Sequence, residues 1–99
     1  MEEKLLSLLG LARRAGRVSL GFDAACDSVK NGSAVLVIAA SDLSERTKRG
    51  LASAADGTRT EIIFSDIPMD RLGAAVGKPV GIISVNDAGF AGKMKTLCN

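Results

Sequence analysis

Leu5, Leu8, Leu9 and Ala12 recur three and four residues apart, and Leu6 and Leu11 widen the stripe, so the chain opens on an amphipathic helix. Glu2 and Glu3 sit where the helix dipole is positive; Arg13 and Arg14 sit where it is negative. Gly16 supplies a left-handed residue to stop it. Residues 17–19, "RVS", fit a very short strand. A second helix is predicted from about Phe22 to Lys30, closed by Asn31–Gly32. Its face of Ala24, Ala25, Ser28 and Val29 is small enough to pack closely on a sheet. Residues 34–40, "AVLVIAA", are apolar without a break, the pattern of a central strand covered on both faces.

Residues 41–57, "SDLSERTKRGLASAADG", read as a third helix ended by Gly57. Ser41 or Asp42 is placed to cap it, and Asp42 with Glu45 has the spacing of a capping box. "TEIIF" at 60–64 is a second apolar strand, and "VGIISV" at 80–85 a third. Between them "IPMDRLGAAVG" forms a short helix, with Pro68 in its first turn and Gly77 past its end. A last helix, "NDAGFAGKMKTLCN", is capped by Asn86 or Asp87 and carries Phe90, Met94 and Leu97 on one face. Val35, Val37, Ile62, Ile63, Ile82 and Ile83 are expected to be buried, because their runs have no polar face. Strands alternating with helices predict an α/β fold, a three-layer α/β/α sandwich with a largely parallel sheet. No linker, repeat or low-complexity segment divides the 99 residues, so residues 1–99 are expected to form a single domain.

Composition narrows the chemistry. There are three Phe and no Tyr or Trp, so the core must be aliphatic. Net charge is only +2, from 13 Lys and Arg against 11 Asp and Glu, so overall charge demands no nucleic-acid partner and only clustering can argue for one. Two cysteines and no His cannot complete a zinc site of the usual four-ligand type. Cys26 and Cys98, far apart, read as reduced thiols of a cytoplasmic protein. The amino terminus, acids first and bases last, is not the pattern of a signal peptide, and no apolar run reaches the ~20 residues of a membrane span.

Without His, a nucleophile has only carboxylates and lysines for a base. Asp23 and Asp27 near Cys26 oppose a reactive thiolate, so Cys26 reads as packing. Asp66, Asp70 and Asp87 stand at helix starts, where capping accounts for them. No phosphate-loop motif occurs, and "GKPVG" at 77–81 puts Lys78 beside a proline rather than at a helix start. No catalytic residue, metal or cofactor is expected. What stands out is Arg13, Arg14 and Arg17 around one turn. Dipole compensation and solubility account for the first two and less well for Arg17. By spacing alone, RNA binding and an ordinary charged surface both remain open.

Three stretches in this order carry a resemblance: "LLGLARRAGRVSLG", "KNGSAVLVIAASDLSERTKR" and "DRLGAAVGKPVGIISVNDAGFAGKM". The chain resembles the kink-turn RNA-binding ribosomal protein superfamily of the L-seven-Ae type, most of all its bacterial YlxQ-like branch. The resemblance covers nearly the whole chain and implies a four-stranded mixed sheet, with Val18 and its neighbours as the fourth strand. It implies a non-enzymatic RNA-binding protein of ribosomal type, taking a kinked or bulged RNA at one end of the sandwich. By that resemblance the RNA-binding residues are Gly21, Phe22, Asp23, Ala24 and Asp27 on the first segment, Ser41 and Asp42 on the second, and Lys78, Pro79 and Val80 on the third; Arg13, Arg14 and Arg17 are expected to anchor phosphates. The implied partners are structured RNA, ribosomal RNA included, and ribosome-associated proteins, with a monomer expected by default. The chain departs from the pattern at three places. RNA-binding members carry Asn and Glu where Asp23 and Ala24 stand, and Lys where Asp27 stands. These departures weigh against tight binding of a standard kink-turn. The rival reading is a protein-interaction module that keeps the scaffold.

Overall fold

The computed structural model describes residues 2–98. The elements run α1 (Glu2–Arg14), β1 (Val18–Leu20), α2 (Phe22–Lys30), β2 (Leu36–Ala39), α3 (Glu45–Ala55), β3 (Glu61–Phe64), α4 (Met69–Val76), β4 (Ile82–Val85) and α5 (Ala88–Cys98). Every helix and strand read from the hydrophobic pattern is present. The sheet order is β1-β4-β2-β3. β4 is antiparallel to both its neighbours, and only β2 and β3 are parallel. The sheet is therefore mixed, as the resemblance implies, and the expectation of a largely parallel sheet is corrected. The reason lies in the link from β3 to β4. The Lys78 N–H donates to Gly73 O at 3.1 Å, doubling the chain back on α4 so that it re-enters the sheet at the end it left. An unbroken apolar run reports burial on two faces and carries no information on direction.

Two cores flank the sheet. Leu36 and Ile38 of β2, with Ile83 and Val85 of β4, meet Leu5, Leu9, Leu72 and Met94 from α1, α4 and α5. Val37, Ala39 and Ile82 meet Ala25, Val29 and Leu51 from α2 and α3 on the other side. Successive strand side chains point to opposite faces, so one apolar run fills both cores. Two expectations of burial need correction. Ile62 and Ile63 are only half-buried because β3 is an edge strand, and Val35 is half-buried just ahead of β2. A partly buried polar chain ties α2 to the sheet: Ser84 Oγ donates to Asn86 Oδ1, Asn86 Nδ2 donates to Ser19 Oγ, and Ser19 and Ser28 share a hydroxyl hydrogen bond of 2.7 Å.

The caps also differ from expectation. Ser44 caps α3, its Oγ accepting the Thr47 N–H at 3.1 Å, and the Asp42–Glu45 box does not form. Asp42 serves α4 instead, and Ser41 bonds only to the segment that leads into it. The Ser41 N–H donates to Ile67 O, and Asp42 Oδ1 accepts the Met69 N–H at 2.9 Å. Pro68 stands at the N-cap of α4 rather than inside its first turn. Asp87 caps α5 as expected, accepting from the N–H groups of Gly89 and Phe90.

Candidate nucleic-acid interface

β1 is followed directly by Gly21, whose φ of 95° favours glycine, and α2 begins at once. The Gly21 N–H donates to Ile82 O at 2.8 Å, holding the turn against the start of β4. Gly21 is also the N-cap, and no side chain caps α2. The first amide groups of α2 are therefore left for an outside acceptor, at the positive end of the helix dipole.

The other two segments come to the same end. The Ala40 N–H donates to Gly81 O at 2.8 Å, joining the exit of β2 to the entry of β4. Ser41 and Asp42 follow, both exposed. Lys78 and Pro79 are exposed on the loop before β4, while Val80 is buried beneath them. Gly73 lets this loop lie flat on α4, since a Cβ there would come within 2.8 Å of Lys78 O. Met69, Asp70 and Gly73 join Asp42, Lys78 and Pro79 around an open groove of about 610 Å³. Sequence reasoning missed those first three. The signal was the interior glycine of "DRLGAAVG", since Gly within a helix costs about 1 kcal/mol against Ala and needs a packing reason.

The arginines lie elsewhere. The Asn86 N–H donates to Arg17 O, so Arg17 sits at the opposite end of β1 from Gly21. Four residues of extended chain separate them by ~13 Å. Arg17 Nε is 3.9 Å from Asp87 Oδ2, a half-exposed pair of little strength. Arg13 is exposed one turn earlier, and Arg14 lines a groove between α1 and α4 with Ala74 and Ala75. Gly21, Ser41, Asp42 and Lys78 thus gather at one end, and the arginine turn does not join them.

Asp23 and Asp27 are exposed and line a third groove, between α2 and α3, with Phe22, Lys30, Ser53 and Ala54. Among the described residues neither forms an ion pair. Ala24 is half-buried beside them. Burial pushes the Cys26 thiol above the ordinary thiol range; Lys30 pulls it down, and Asp23 and Asp27 push it up. The thiol stays protonated at neutral pH, in keeping with a packing role. The Cys98 side chain lies outside the described residues. No group of three or more His, Cys, Asp or Glu able to hold a metal occurs among the described residues, and no described helix is long and apolar enough to cross a membrane.

Residues 3–95 match the model of the ribosomal protein L7Ae/L30e/S12e/Gadd45 family. The chain belongs to this family. It is 31% identical to the RNA-binding protein YlxQ of Enterococcus faecium over 97 residues, covering 96% of this chain and 91% of that one. That similarity places it in the YlxQ-like branch. It is also 31% identical to the large ribosomal subunit protein eL30 of Eremothecium gossypii, covering 97% of this chain and 93% of that one. The fold matches a solved protein of unknown function from Bacillus halodurans with a TM-score of 0.85 and 36% identity, over 96% of each chain.

Proposed function

We propose that this L7Ae-family chain is a non-enzymatic RNA-binding protein of ribosomal type, gripping a kinked or bulged structured RNA with the end of the sandwich at Gly21. The observation that carries the reading is the meeting of three segments around an α2 amino end that no side chain caps. The amides of Phe22, Asp23 and Ala24 suit a phosphate oxygen. Asp23 and Ser41 can accept from base edges. Lys78 supplies the positive charge, and the exposed Pro79, seated on the buried Val80, offers an apolar surface for an extruded base, as RNA recognition favours loops and bulges over duplex. Asp42 holds α4 in register behind them. Arg13 and Arg17, at the far end of β1, add phosphate contacts to an RNA long enough to reach them. The partner this fits is structured RNA, ribosomal RNA included, in the cytoplasm and beside ribosome-associated proteins.

The test is a filter-binding titration at several salt concentrations, using an internal-loop RNA with sheared G·A pairs and a straight duplex of equal length. The chain should prefer the loop RNA, and Lys78→Glu should weaken that preference. Arg13→Gln with Arg17→Gln should leave the preference but flatten the salt slope by about 0.7 to 0.9 per lost contact. Equal, feeble binding to both RNAs sinks the reading.

A second reading has its own observation. Asp23 and Asp27 are exposed on the groove between α2 and α3 and form no ion pair among the described residues, at positions where RNA-binding members carry Asn and Lys. A protein-interaction module that keeps the scaffold and takes a basic partner there accounts for that sign reversal.

A further inference from the structure

Two of the three phenylalanines are exposed at the end of the sandwich that carries Gly21. Phe22 is 39% exposed and Phe64 is 49% exposed. The Gly21 N–H donates to Ile82 O, Ile82 pairs with Ala39, and Ala39 pairs with Phe64. Gly21, Ile82, Ala39 and Phe64 therefore form one row across the sheet, three strand spacings or ~14 Å from edge to edge. Side chains alternate along β3. Ile63 packs against the core shared with α1, and Ile62 against the core shared with α2 and α3, so Phe64 emerges on the α3 side.

α3 begins at the same end, its cap Ser44 standing five residues past Ala39 of that row. Phe22 lies against Gly50 of α3, where a Cβ would sit 3.3 Å from Phe22 Cζ. A glycine inside a helix is unfavourable without a packing reason, and the ring supplies it. Arg46, one turn before Gly50, shares its side of the helix, and Arg49 lies three residues on from Arg46. Both arginines are exposed, and among the described residues neither forms an ion pair. Lys48 is the third cation of α3, and Glu45, the one carboxylate of that helix, lies 3.7 Å from it. Asp23 follows Phe22 in sequence but projects about 100° farther round α2.

We infer that the first turns of α3, between Phe22 and Phe64, bind a single-stranded stretch of RNA that leaves the structured part held at Gly21. Unpaired bases stack on the two rings, and Arg46 and Arg49 hold the phosphates that run between them. The inference rests on the RNA reading of the Gly21 end and extends it to a second kind of RNA. A single strand suits this surface better than a duplex, because its bases are free to turn onto an aromatic face. Aromatic rings spaced along a cationic surface bind single strands with little sequence preference, since every base has a face to stack. Cations without acidic partners then hold the backbone.

Three probes test it by fluorescence anisotropy: the blunt internal-loop RNA, the same RNA with a six-nucleotide single-stranded tail at one end or the other, and the free six-nucleotide strand. One of the tails should raise affinity about tenfold or more over the blunt RNA. Phe64→Leu should remove most of that gain, and Phe64→Tyr, which keeps an aromatic face, should retain it. Arg46→Gln with Arg49→Gln should flatten the salt slope for the tailed RNA by about 0.7 per lost contact. These variants are at exposed positions, should bind the blunt RNA as the wild type does, and are checked for fold by circular dichroism. A 2-aminopurine in the tail should be quenched on binding, and less so by the Phe64→Leu chain. A tail that adds nothing overturns the inference, as does a gain that survives Phe64→Leu. Oligoglutamate that competes as well as the free strand at equal charge also overturns it, since charge alone would then bind. The blunt RNA against a straight duplex reports the Gly21 reading separately: a chain that takes the free strand through Phe64 but shows no preference for the loop keeps this inference and loses that reading.

Discussion

Asp42 shows how one side chain can read one way in sequence and act another way in space. Three residues ahead of Glu45, it has the spacing of a capping box for α3. In the fold its Oδ1 accepts the Met69 N–H, 27 positions on, and so caps α4. The helix it serves carries the Lys78–Pro79 loop, so this hydrogen bond positions part of the candidate interface. Asp42→Ala should lower stability by about 1 kcal/mol, the usual cost of a lost cap, and speed amide exchange at Met69. Glu45→Ala should be nearly silent, because Glu45 makes only an exposed pair with Lys48 at 3.7 Å. Urea midpoints and hydrogen exchange measure both. If Glu45→Ala costs as much as Asp42→Ala, the assignment to α4 is wrong. A capping residue recognises whichever free N–H the tertiary fold brings to it, and local spacing reports only the nearest.

Among the elements, the strands divide into those that apolar pattern describes fully and one that it does not. "AVLVIAA" and "VGIISV" become β2 and β4, and every residue of each strand is buried. "TEIIF" has the same apolar character, yet β3 lies at the sheet edge with both ends exposed. Ile83→Ala should therefore cost about 2 to 5 kcal/mol, and Ile62→Ala clearly less, since part of its side chain stays in water either way. Urea unfolding with an unchanged m-value reads the two costs; equal costs would contradict the edge position of β3. Sequence made the helices and strands legible because each must bury an apolar face of fixed period. Strand order, direction and edge position were not legible, because they depend on how the β3–β4 link doubles back on Gly73, a long-range packing event. The candidate interface follows the same division. Gly21, Ser41, Asp42, Lys78, Pro79 and Val80 entered through family resemblance, and the fold brings them together. Arg17, expected to anchor phosphate, stands only four positions from Gly21, but an extended strand turns those positions into opposite ends of the sheet.

At the scale of the whole molecule, charge is distributed against a simple RNA-binding end. The arginine turn lies away from Gly21, and Asp23 and Asp27 stand beside the uncapped amino end of α2. A helix terminus that attracts phosphate and two aspartates that repel it oppose each other at close range, and the balance sets what this end can hold. The triple change Asp23→Asn, Ala24→Glu and Asp27→Lys tests that balance by giving the chain the residues of RNA-binding family members on an unaltered scaffold. All three positions lie on the first two turns of α2, with Asp23 and Asp27 exposed and Ala24 half-buried, so the fold should tolerate the change. Asn can donate as well as accept at a guanine edge, and Glu adds a second acceptor, so the pair supplies base recognition. Lys replaces repulsion with attraction and supplies affinity without sequence preference. Asp27→Lys alone should therefore raise affinity for a kink-turn RNA and for a straight duplex alike. The triple variant should raise it for the kink-turn well beyond the duplex. Titrations of wild type, single and triple variants against both RNAs separate these outcomes. A triple variant with no gain for the kink-turn over the duplex would mean that the loop carrying Lys78 and Pro79 no longer completes the site, and the groove between α2 and α3 would then be better understood as a surface for a basic protein.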